Sequence, residues 1–481
     1  MLFTANWAFG QAIKIPIPDK NFRQALIQHD AKNGTNYQIK PAGDGAVSVE
    51  DPSKISFLIL SNKGIQDLSG IEFFESLCYL DCSRNEIEEI EIYKNKDLIG
   101  LICDRNKLTN LSISNAEVLS YLACNDNALE SLQLNGAPNL RNLWCFNNQI
   151  HALDISQNLL LDTLDCYNNN LLDLDVSNNL ELKALWCSVN QLDYIDISQN
   201  VKLKEFDCFL NQIRELDVSK NKDIEVLYCG NNKLKILDLS KCLNLRILSC
   251  QSNQLVAIDL SKNSDLSLIN CKNNNLIDID FSQNRKLISI DCSKNNLKQL
   301  GVLKNENLIF LACESNELSD LDISFCPLLT DLNFKKNKID EINLKKCFDL
   351  ERLWCSENKL SALDVSENRK LKTLWCCKNQ IQLLDISQNF VLDTLDCSEN
   401  ALAELNVCYN SELSILWCGK NKLKSLDVHH NKKLKTFECK ENLFSEILIP
   451  ESHVYDFFEK DRHVKIICIK EDEQKLSRRA G

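Results

Sequence analysis

The sequence is poor in the residues that usually form turns. It has only 12 glycines and 7 prolines among 481 residues, and a single methionine. Because so few glycines and prolines supply few free turns, the composition favours one regular, repeated architecture. No stretch approaches 18 consecutive apolar residues, which argues against insertion into a membrane as a spanning helix.

The chain also lacks an excess of basic residues. It carries 55 Lys and Arg against 68 Asp and Glu, for a net charge of −13. This acidic balance argues against nucleic acid or an anionic membrane surface as the main partner. The sequence contains no glycine-rich phosphate loop, no Ser-His-Asp set and no His-Glu-x-x-His zinc motif. It therefore predicts a protein that is not an enzyme and that uses no cofactor or metal.

Cysteine is abundant, with 24 residues, and most of them follow one period. Seventeen recur every 21 residues, and the single position that breaks the series is Phe334. An asparagine stands three residues after each of these eighteen positions. The seventeen are Cys82, Cys103, Cys124, Cys145, Cys166, Cys187, Cys208, Cys229, Cys250, Cys271, Cys292, Cys313, Cys355, Cys376, Cys397, Cys418 and Cys439. A period of 20 to 29 residues with this leucine and asparagine pattern is typical of a leucine-rich repeat.

The turn that begins at Leu140 shows what each column of the repeat does. Its leucines and isoleucines are expected to point inward, and Cys145 replaces one of the usual leucines. Asn148 can both accept from and donate to backbone groups of neighbouring turns. Since no turn buries its apolar face alone, the turns must stack. We predict an α/β repeat solenoid, a leucine-rich-repeat horseshoe or arc of about nineteen turns, with a parallel β-sheet on the concave face, a Cys ladder and an Asn ladder.

The cysteines are expected to be free thiols, although a secreted protein could form disulfides. Adjacent rungs lie about 4.8 Å apart with parallel Cα–Cβ vectors, whereas a disulfide requires Cβ atoms about 3.8 Å apart and a crossed torsion. Inside the core a free cysteine acts as a small apolar residue. Cys377 lies one residue past the ladder and is expected to face solvent, either as a reactive thiol or as a neutral substitution.

The repeats resemble the cysteine-ladder repeats of internalin J-like bacterial proteins, with Leu-Asp-Cys-Ser and Leu-Trp-Cys turns. The segment 15–26 resembles an internalin-type N-terminal cap, in which Asp19 can cap a short helix. We predict a signal-peptide remnant at 1–11, an N-terminal cap at 12–54, repeats at 55–447, and a C-terminal cap and tail at 448–481. The remnant lacks a basic start, which indicates either a start codon assigned too late or a short leader. The resemblance implies an extracellular or cell-surface binding protein.

Candidate binding residues come from the strand positions on either side of each ladder cysteine. Alternation along a strand places these residues in solvent on the concave face. The candidates are Trp144, Phe146, Asp165, Tyr167, Trp186, Asp207, Phe209 and Tyr228 in a first group, and Trp354, Trp375 and Trp417 in a second. Six aromatics on neighbouring rungs could expose roughly 900 Å², more than the 300–600 Å² of a typical largest apolar patch.

This column favours a secreted, adhesin-like monomer that recognises a protein ligand through the concave face. A polysaccharide stacked on alternate aromatic rungs is the second possibility, and a purely structural spacer is the third. Duplication of a Leu-Trp-Cys turn would also explain the column without any ligand. The first group is the denser of the two, so we expect it to contribute more to binding.

Overall fold

The computed structural model describes residues 12–29, 38–302, 305–451 and 453–469. The chain forms two compact units, Met1–Leu234 and Lys235–Gly481. The predicted signal-peptide remnant at 1–11 and residues 470–481 of the predicted tail lie outside the described residues. In the part of the chain that is described, no helix is both long and apolar enough to cross a membrane.

The first unit opens with a short helix and a small antiparallel sheet. Helix α1 (Lys20–Gln28) buries Phe22 and Leu26, and its first turn is capped by Asp19, whose Oδ1 accepts from the Phe22 amide at 2.7 Å. The predicted capping of this helix by Asp19 is confirmed. The second carboxylate oxygen of Asp19 accepts from the Gln66 amide at 2.9 Å. Asp19 therefore links the helix to the chain that enters the first repeats.

The rest of the first unit is a stack of parallel strands. Strands β1 and β2 each pair with β3 in the antiparallel sheet. Nine strands of the described chain, β4, β5, β7 and β9 to β14, form one parallel sheet, and β6 pairs with β8. The bounds are β1 Ile13–Pro16, β2 Ile39–Pro41, β3 Ala46–Val49, β4 Phe57–Ile59, β5 Tyr79–Asp81, β6 Glu89–Ile92, β7 Gly100–Ile102, β8 Asn110–Ile113, β9 Tyr121–Ala123, β10 Asn142–Trp144, β11 Thr163–Asp165, β12 Ala184–Trp186, β13 Glu205–Asp207 and β14 Val226–Tyr228.

The second unit repeats the same architecture. Eleven of its described strands, β15 to β23, β25 and β27, form a parallel sheet, and β24, β26 and β28 form a smaller one. The bounds are β15 Ile247–Ser249, β16 Leu268–Asn270, β17 Ser289–Asp291, β18 Phe310–Ala312, β19 Asp331–Asn333, β20 Arg352–Trp354, β21 Thr373–Trp375, β22 Thr394–Asp396, β23 Ile415–Trp417, β24 Leu426–Asp427, β25 Thr436–Glu438, β26 Glu446–Pro450, β27 Phe457–Glu459 and β28 Lys465–Ile469. The predicted parallel-sheet solenoid with one rung per repeat is confirmed, whereas the four segment boundaries stay predictions.

The core consists of the apolar columns that the repeat predicts. In the turn that begins at Leu140, the side chains of Leu143, Cys145 and Ile150 are fully buried. Leu153 and Ile155 are also buried, and the same columns are buried in the neighbouring turns. In these regular turns each strand contributes three residues, with the middle one inside, and ends at the residue before the ladder cysteine.

The ladder asparagines satisfy the backbone of two successive turns. Asn190 donates through Nδ2 to the carbonyl oxygens of Cys187 in its own turn and Cys166 in the preceding one, at 3.1 and 3.0 Å. Its Oδ1 accepts from the Leu171 amide at 3.0 Å. The predicted dual role of this asparagine column is confirmed. The side chain therefore supplies a partner to the buried Leu171 amide, and each ladder carbonyl oxygen is shared by the asparagines of two successive turns.

A second asparagine column, ten residues further along each turn, works differently. Asn200 is fully buried and donates to the carbonyl oxygens of Val176 and Asn179, both at 2.9 Å. Its Oδ1 has no hydrogen-bond partner within the described residues. Because this column uses only its donor, a residue with a weaker donor can replace it. Cys347 does so, with its Sγ 3.8 Å from the carbonyl oxygen of Cys326.

Each repeat reverses direction through a left-handed residue that is not glycine. The residue before the ladder asparagine has a positive φ in turn after turn, for example 51° at Asn147, 52° at Leu210 and 54° at Val189. This conformation is unfavourable for most residues, and most of all for a β-branched one such as Val189. The asparagine hydrogen bonds that follow it therefore stabilise a turn that local preference disfavours.

The seventeen ladder cysteines are all buried and free of disulfides. Burial raises the pKa of their thiols, for example to about 12 for Cys124 and Cys229. Cys377 was expected to face solvent but is half-buried, so that prediction is wrong in part. Desolvation raises the pKa of its thiol to about 11. A thiol that is protonated at neutral pH is a poor nucleophile. Among the described cysteines, Cys468 is the exposed one.

Thiol titration tests the reduced state of the ladder. Under denaturing, non-reducing conditions we expect at least seventeen reactive thiols, because the rung geometry disfavours disulfides. In the native protein the same reagent should modify Cys468 rapidly and the ladder cysteines only at the rate of unfolding. Markedly fewer than seventeen thiols after denaturation would show that the cysteines are cross-linked.

Two asparagine substitutions in adjacent columns test the hydrogen-bond assignment. We expect Asn190→Ala to lower the free energy of unfolding by about 1–3 kcal/mol, because it leaves the buried Leu171 amide without its partner and removes one donor from carbonyl oxygens of two turns. Asn200→Cys should cost clearly less, since Asn200 uses only its donor. Urea unfolding of both variants provides the measurement. An equal loss in the two variants would contradict the distinction between the columns.

Candidate ligand-binding face

Five side chains stand in register on the solvent side of strands β10 to β14. Trp144 is paired with Asp165, Asp165 with Trp186, and Trp186 with Asp207. Asp207 is in turn paired with Tyr228. Parallel strands place such partners on neighbouring rungs about 4.8 Å apart. The structure therefore brings these predicted residues together as an alternation of rings and carboxylates, here called the first aromatic group.

The rings of this group are half-buried, which corrects the expectation of a fully exposed column. Trp144, Trp186 and Tyr228 all have intermediate exposure. The close rung spacing contributes to this burial, since neighbouring side chains stand only about 4.8 Å apart along the stack. The apolar surface that the group exposes is therefore smaller than the roughly 900 Å² predicted from full exposure.

The position after the ladder cysteine adds three more predicted aromatics to this face. Tyr167 is 39% exposed, whereas Phe146 and Phe209 are half-buried. These residues follow the strands, two positions after Trp144, Asp165 and Asp207. The amides of Tyr167 and Phe209 contact the first aromatic group directly, through Asp165 and Asp207.

Hydrogen bonds hold both carboxylates of the group in place. Asp165 Oδ1 accepts from the Tyr167 amide at 3.1 Å, and Asp207 Oδ1 accepts from the Phe209 amide at 2.9 Å. Asp207 Oδ2 also accepts from the Ser188 hydroxyl at 2.9 Å. In the described chain, no donor reaches Oδ2 of Asp165. Each carboxylate is therefore fixed in orientation but retains free acceptor capacity.

The electrostatics of these two carboxylates are unusual for this protein. Burial is the main cause that raises the pKa of Asp165, to about 6, and it also raises the pKa of Asp207. Within the described residues, no Lys or Arg forms an ion pair with either one. Acidic residues elsewhere in the repeats do have such partners, as in the Asp162–Lys183 pair at 2.7 Å. The first aromatic group thus holds two half-buried carboxylates without a countercharge.

The second predicted group, in the second unit, is built differently. Trp354 and Trp375 are direct neighbours in register, and Asp396 separates Trp375 from Trp417. The rings of Trp375 and Trp417 make an edge-on contact, with centroids 6.5 Å apart. Since their strands are about 10 Å apart, the two rings lean towards each other over Asp396. Part of this group therefore packs on itself.

Two residues of the first face were missed by the sequence analysis. The ring centroid of Tyr121 lies 4.6 Å from that of Trp144, and Ser188 donates to Asp207. Tyr121 stands two residues before the candidate column, on the rung that precedes Trp144. The strand alternation that identified the other residues extends to this third column and could have found Tyr121. Ser188 gave no signal, because serine is common at its position in the repeat.

The described residues provide no evident site for a metal ion. They contain no group of three or more His, Cys, Asp or Glu side chains placed to hold one. The described side chains of the face offer apolar burial of rings, hydrogen bonds to carboxylates and attraction of cations.

Solved structures resemble this chain over most of its length. The functional domain of InlJ from Listeria monocytogenes, which includes a cysteine ladder, is 28% identical, with 92% of this chain and 84% of that chain covered and a TM-score of 0.56. YopM from Yersinia enterocolitica is 27% identical, with coverage of 80% and 83% and a TM-score of 0.69. PEPR1 in complex with AtPEP1 shares the fold at 22% identity, with coverage of 84% and 64% and a TM-score of 0.70. No protein-family model and no curated protein matches the chain.

The parallel sheets and the stacked apolar columns define the class of the protein as a leucine-rich-repeat solenoid. Within that class, the 21-residue turn with its cysteine ladder makes the chain a leucine-rich-repeat protein of the internalin type.

The raised pKa of Asp165 gives a prediction about pH. Its folded-state pKa of about 6 exceeds the ordinary value of about 3.9. The group therefore stabilises the fold below about pH 4, and this contribution is lost as the pH rises through about 6. Relative to Asp165→Asn, the wild-type protein should lose local stability between pH 4 and pH 7, by up to about 2 kcal/mol after solvent screening.

Hydrogen exchange over β10 to β12 measures this difference, with both proteins compared at the same pH so that intrinsic exchange rates cancel. Asp162→Asn is the control, because the pKa of Asp162 is lowered and not raised. A difference between wild type and Asp165→Asn that stays constant from pH 4 to pH 7 would contradict the raised pKa.

Proposed function

We propose that this chain is a non-enzymatic binding protein that recognises a protein ligand through the first aromatic group of its parallel sheet. The observation that carries the proposal is the alternation of three half-buried rings with two carboxylates that have no countercharge. Aromatic side chains dominate the energetics of protein interfaces. Short strands fixed in register hold them in place, so little conformational entropy is lost when a ligand docks.

The carboxylates favour a protein over a neutral polysaccharide. Two half-buried acids among aromatic rings are costly without a partner, and proteins supply cationic and amide groups that can pair with them. A neutral polysaccharide would supply hydroxyl groups and ring faces, and stacking on it requires well-exposed aromatic faces. Among the candidate rings of the first unit, Tyr167 is the most exposed, at 39%. A polysaccharide ligand therefore remains the second candidate.

The similar solved structures support binding as the activity of this fold. PEPR1, which shares the fold, was solved in complex with AtPEP1, so a solenoid of this fold can hold a ligand. The proposal includes a location outside the cell or at its surface, for which the likeness to InlJ is the support. Adhesion as a monomer is proposed with it. The buried position of the ladder thiols is compatible with an oxidising compartment, because oxidants and disulfide exchange need access to the sulfur.

Truncation of two tryptophans tests the proposed face. We expect Trp144→Ala combined with Trp186→Ala to weaken binding of the captured protein ligand by about 2 kcal/mol or more, the value typical of a binding hot spot. The ligand is obtained by affinity capture with the intact chain, and its Kd is then measured by calorimetry for both proteins. Because the rings are half-buried, the melting temperature of the variant is recorded alongside.

Trp354→Ala combined with Trp375→Ala is the matched control, since it removes two tryptophans of the second group. This control should retain binding within a few-fold. If the Trp144 and Trp186 variant binds its ligand as the wild type does but melts at a much lower temperature, the rings serve the scaffold. A glycan array addresses the second candidate, because polysaccharide binding that Trp186→Ala abolishes would replace the protein-ligand proposal.

A further inference from the structure

The first aromatic group contains two equivalent slots. Asp165 stands between Trp144 and Trp186, and Asp207 stands between Trp186 and Tyr228. The strands that flank each carboxylate are two rungs apart, or about 10 Å. Each carboxylate thus has an aromatic residue on both neighbouring rungs, and a cation bound to it could also interact with a ring whose centroid comes within about 6 Å. Trp186 forms a wall of both slots.

The rings of the first aromatic group do not close the slots by packing against one another. Trp144 contacts Tyr121, a residue of the preceding rung and a different column. Among the described residues, Trp144, Trp186 and Tyr228 make no ring contact with one another, in contrast to Trp375 and Trp417, which close over Asp396. The spaces above Asp165 and Asp207 are therefore bounded by rings that do not meet.

Charge identifies what such a slot accepts. The half-buried carboxylates of Asp165 and Asp207 have no cationic partner among the described residues, and hydrogen bonds from Tyr167 and Phe209 hold their orientation. A bound ammonium or guanidinium group would pair with the carboxylate and contact the ring faces at the same time. A neutral or anionic group would leave the carboxylate without a countercharge.

We propose that the two slots each bind one cationic side chain, Lys or Arg, of a basic segment in the protein ligand. This inference rests on the proposed function and specifies the chemistry of the partner. The slots are about 10 Å apart along the stack of rungs. A polyproline II segment presents residues i and i+3 on one face about 9.3 Å apart. The geometry therefore fits a segment with basic residues three positions apart that runs across the strands.

Three synthetic peptides test the slots with the full-length chain. The first is acetylated and amidated Pro-Lys-Pro-Pro-Lys-Pro-Pro, the second carries glutamine in place of both lysines, and the third has its two lysines adjacent. We expect calorimetry to give a Kd for the first peptide at least tenfold lower than for the glutamine peptide. The peptide with adjacent lysines should bind at least threefold more weakly than the first.

Two variants that remove the same charge distinguish binding in the slots from general attraction of the peptide to an acidic protein. Asp165→Asn combined with Asp207→Asn should weaken binding of the first peptide at least tenfold, while asparagine can still accept the hydrogen bonds that orient these side chains. Asp265→Asn combined with Asp349→Asn removes the same charge from exposed ion pairs with Lys286 and Lys370. This second variant should bind the peptide within twofold of wild type.

Equal affinity for the lysine and glutamine peptides would contradict the inference that the slots bind cations. An equal loss of peptide affinity in the two double variants would contradict it as well. Equal affinity for the two lysine spacings would overturn the two-slot geometry. If the peptides fail while the captured protein ligand still requires Trp144 and Trp186, the slot inference is wrong and the proposed function stands. If the tryptophan variant also binds its ligand normally, the proposed function itself is wrong.

Discussion

The hydrogen bonds of the ladder asparagines are the interaction on which the rest of the structure depends. Each 21-residue turn leaves the sheet through a left-handed residue such as Val189 or Leu210, a conformation that costs free energy without glycine. Asn190 and its equivalents then supply partners to backbone groups of two successive turns. If these bonds were absent, the turn would have both unfavourable dihedrals and unpaired buried groups. The shortage of glycine is therefore compatible with the fold only because asparagine recurs in every turn.

Regular turns have a direct consequence for the surface. Since each rung pairs with the next in register, any residue type repeated at one position becomes a straight column on the sheet. The chain uses this property twice on the same strands. The inward column is a cysteine ladder, whose small side chain fits the core of a narrow coil. The neighbouring outward column carries rings and carboxylates. Their backbone is held in place because the same strands are anchored in the core by their inward residues.

The two tryptophan-rich groups show how one substitution in such a column changes its chemistry. In the second unit, Trp354 and Trp375 occupy adjacent rungs, and Trp375 contacts Trp417 across Asp396. In the first aromatic group a carboxylate stands between Trp144 and Trp186 and another between Trp186 and Tyr228, and these three rings make no contact with one another among the described residues. Ring-to-ring packing stabilises a scaffold, whereas separated rings over unpaired acids provide contacts that a ligand can complete. The same repeat can thus serve both purposes.

The sequence alone determined the repeat, the register, the buried columns and the asparagine ladder, because each depends on residues 21 positions apart and on the period-two alternation of a strand. It also identified Trp144, Asp165, Trp186, Asp207 and Tyr228 as neighbours, since in-register stacking follows from a constant period. Only the tertiary structure decided how far these side chains are exposed, how Trp375 and Trp417 lean over Asp396, and that burial raises the pKa of Asp165. These properties depend on side-chain packing between rungs, where a spacing of about 4.8 Å makes every ring compete for space with its neighbours. A linear pattern carries no information about the outcome of that competition.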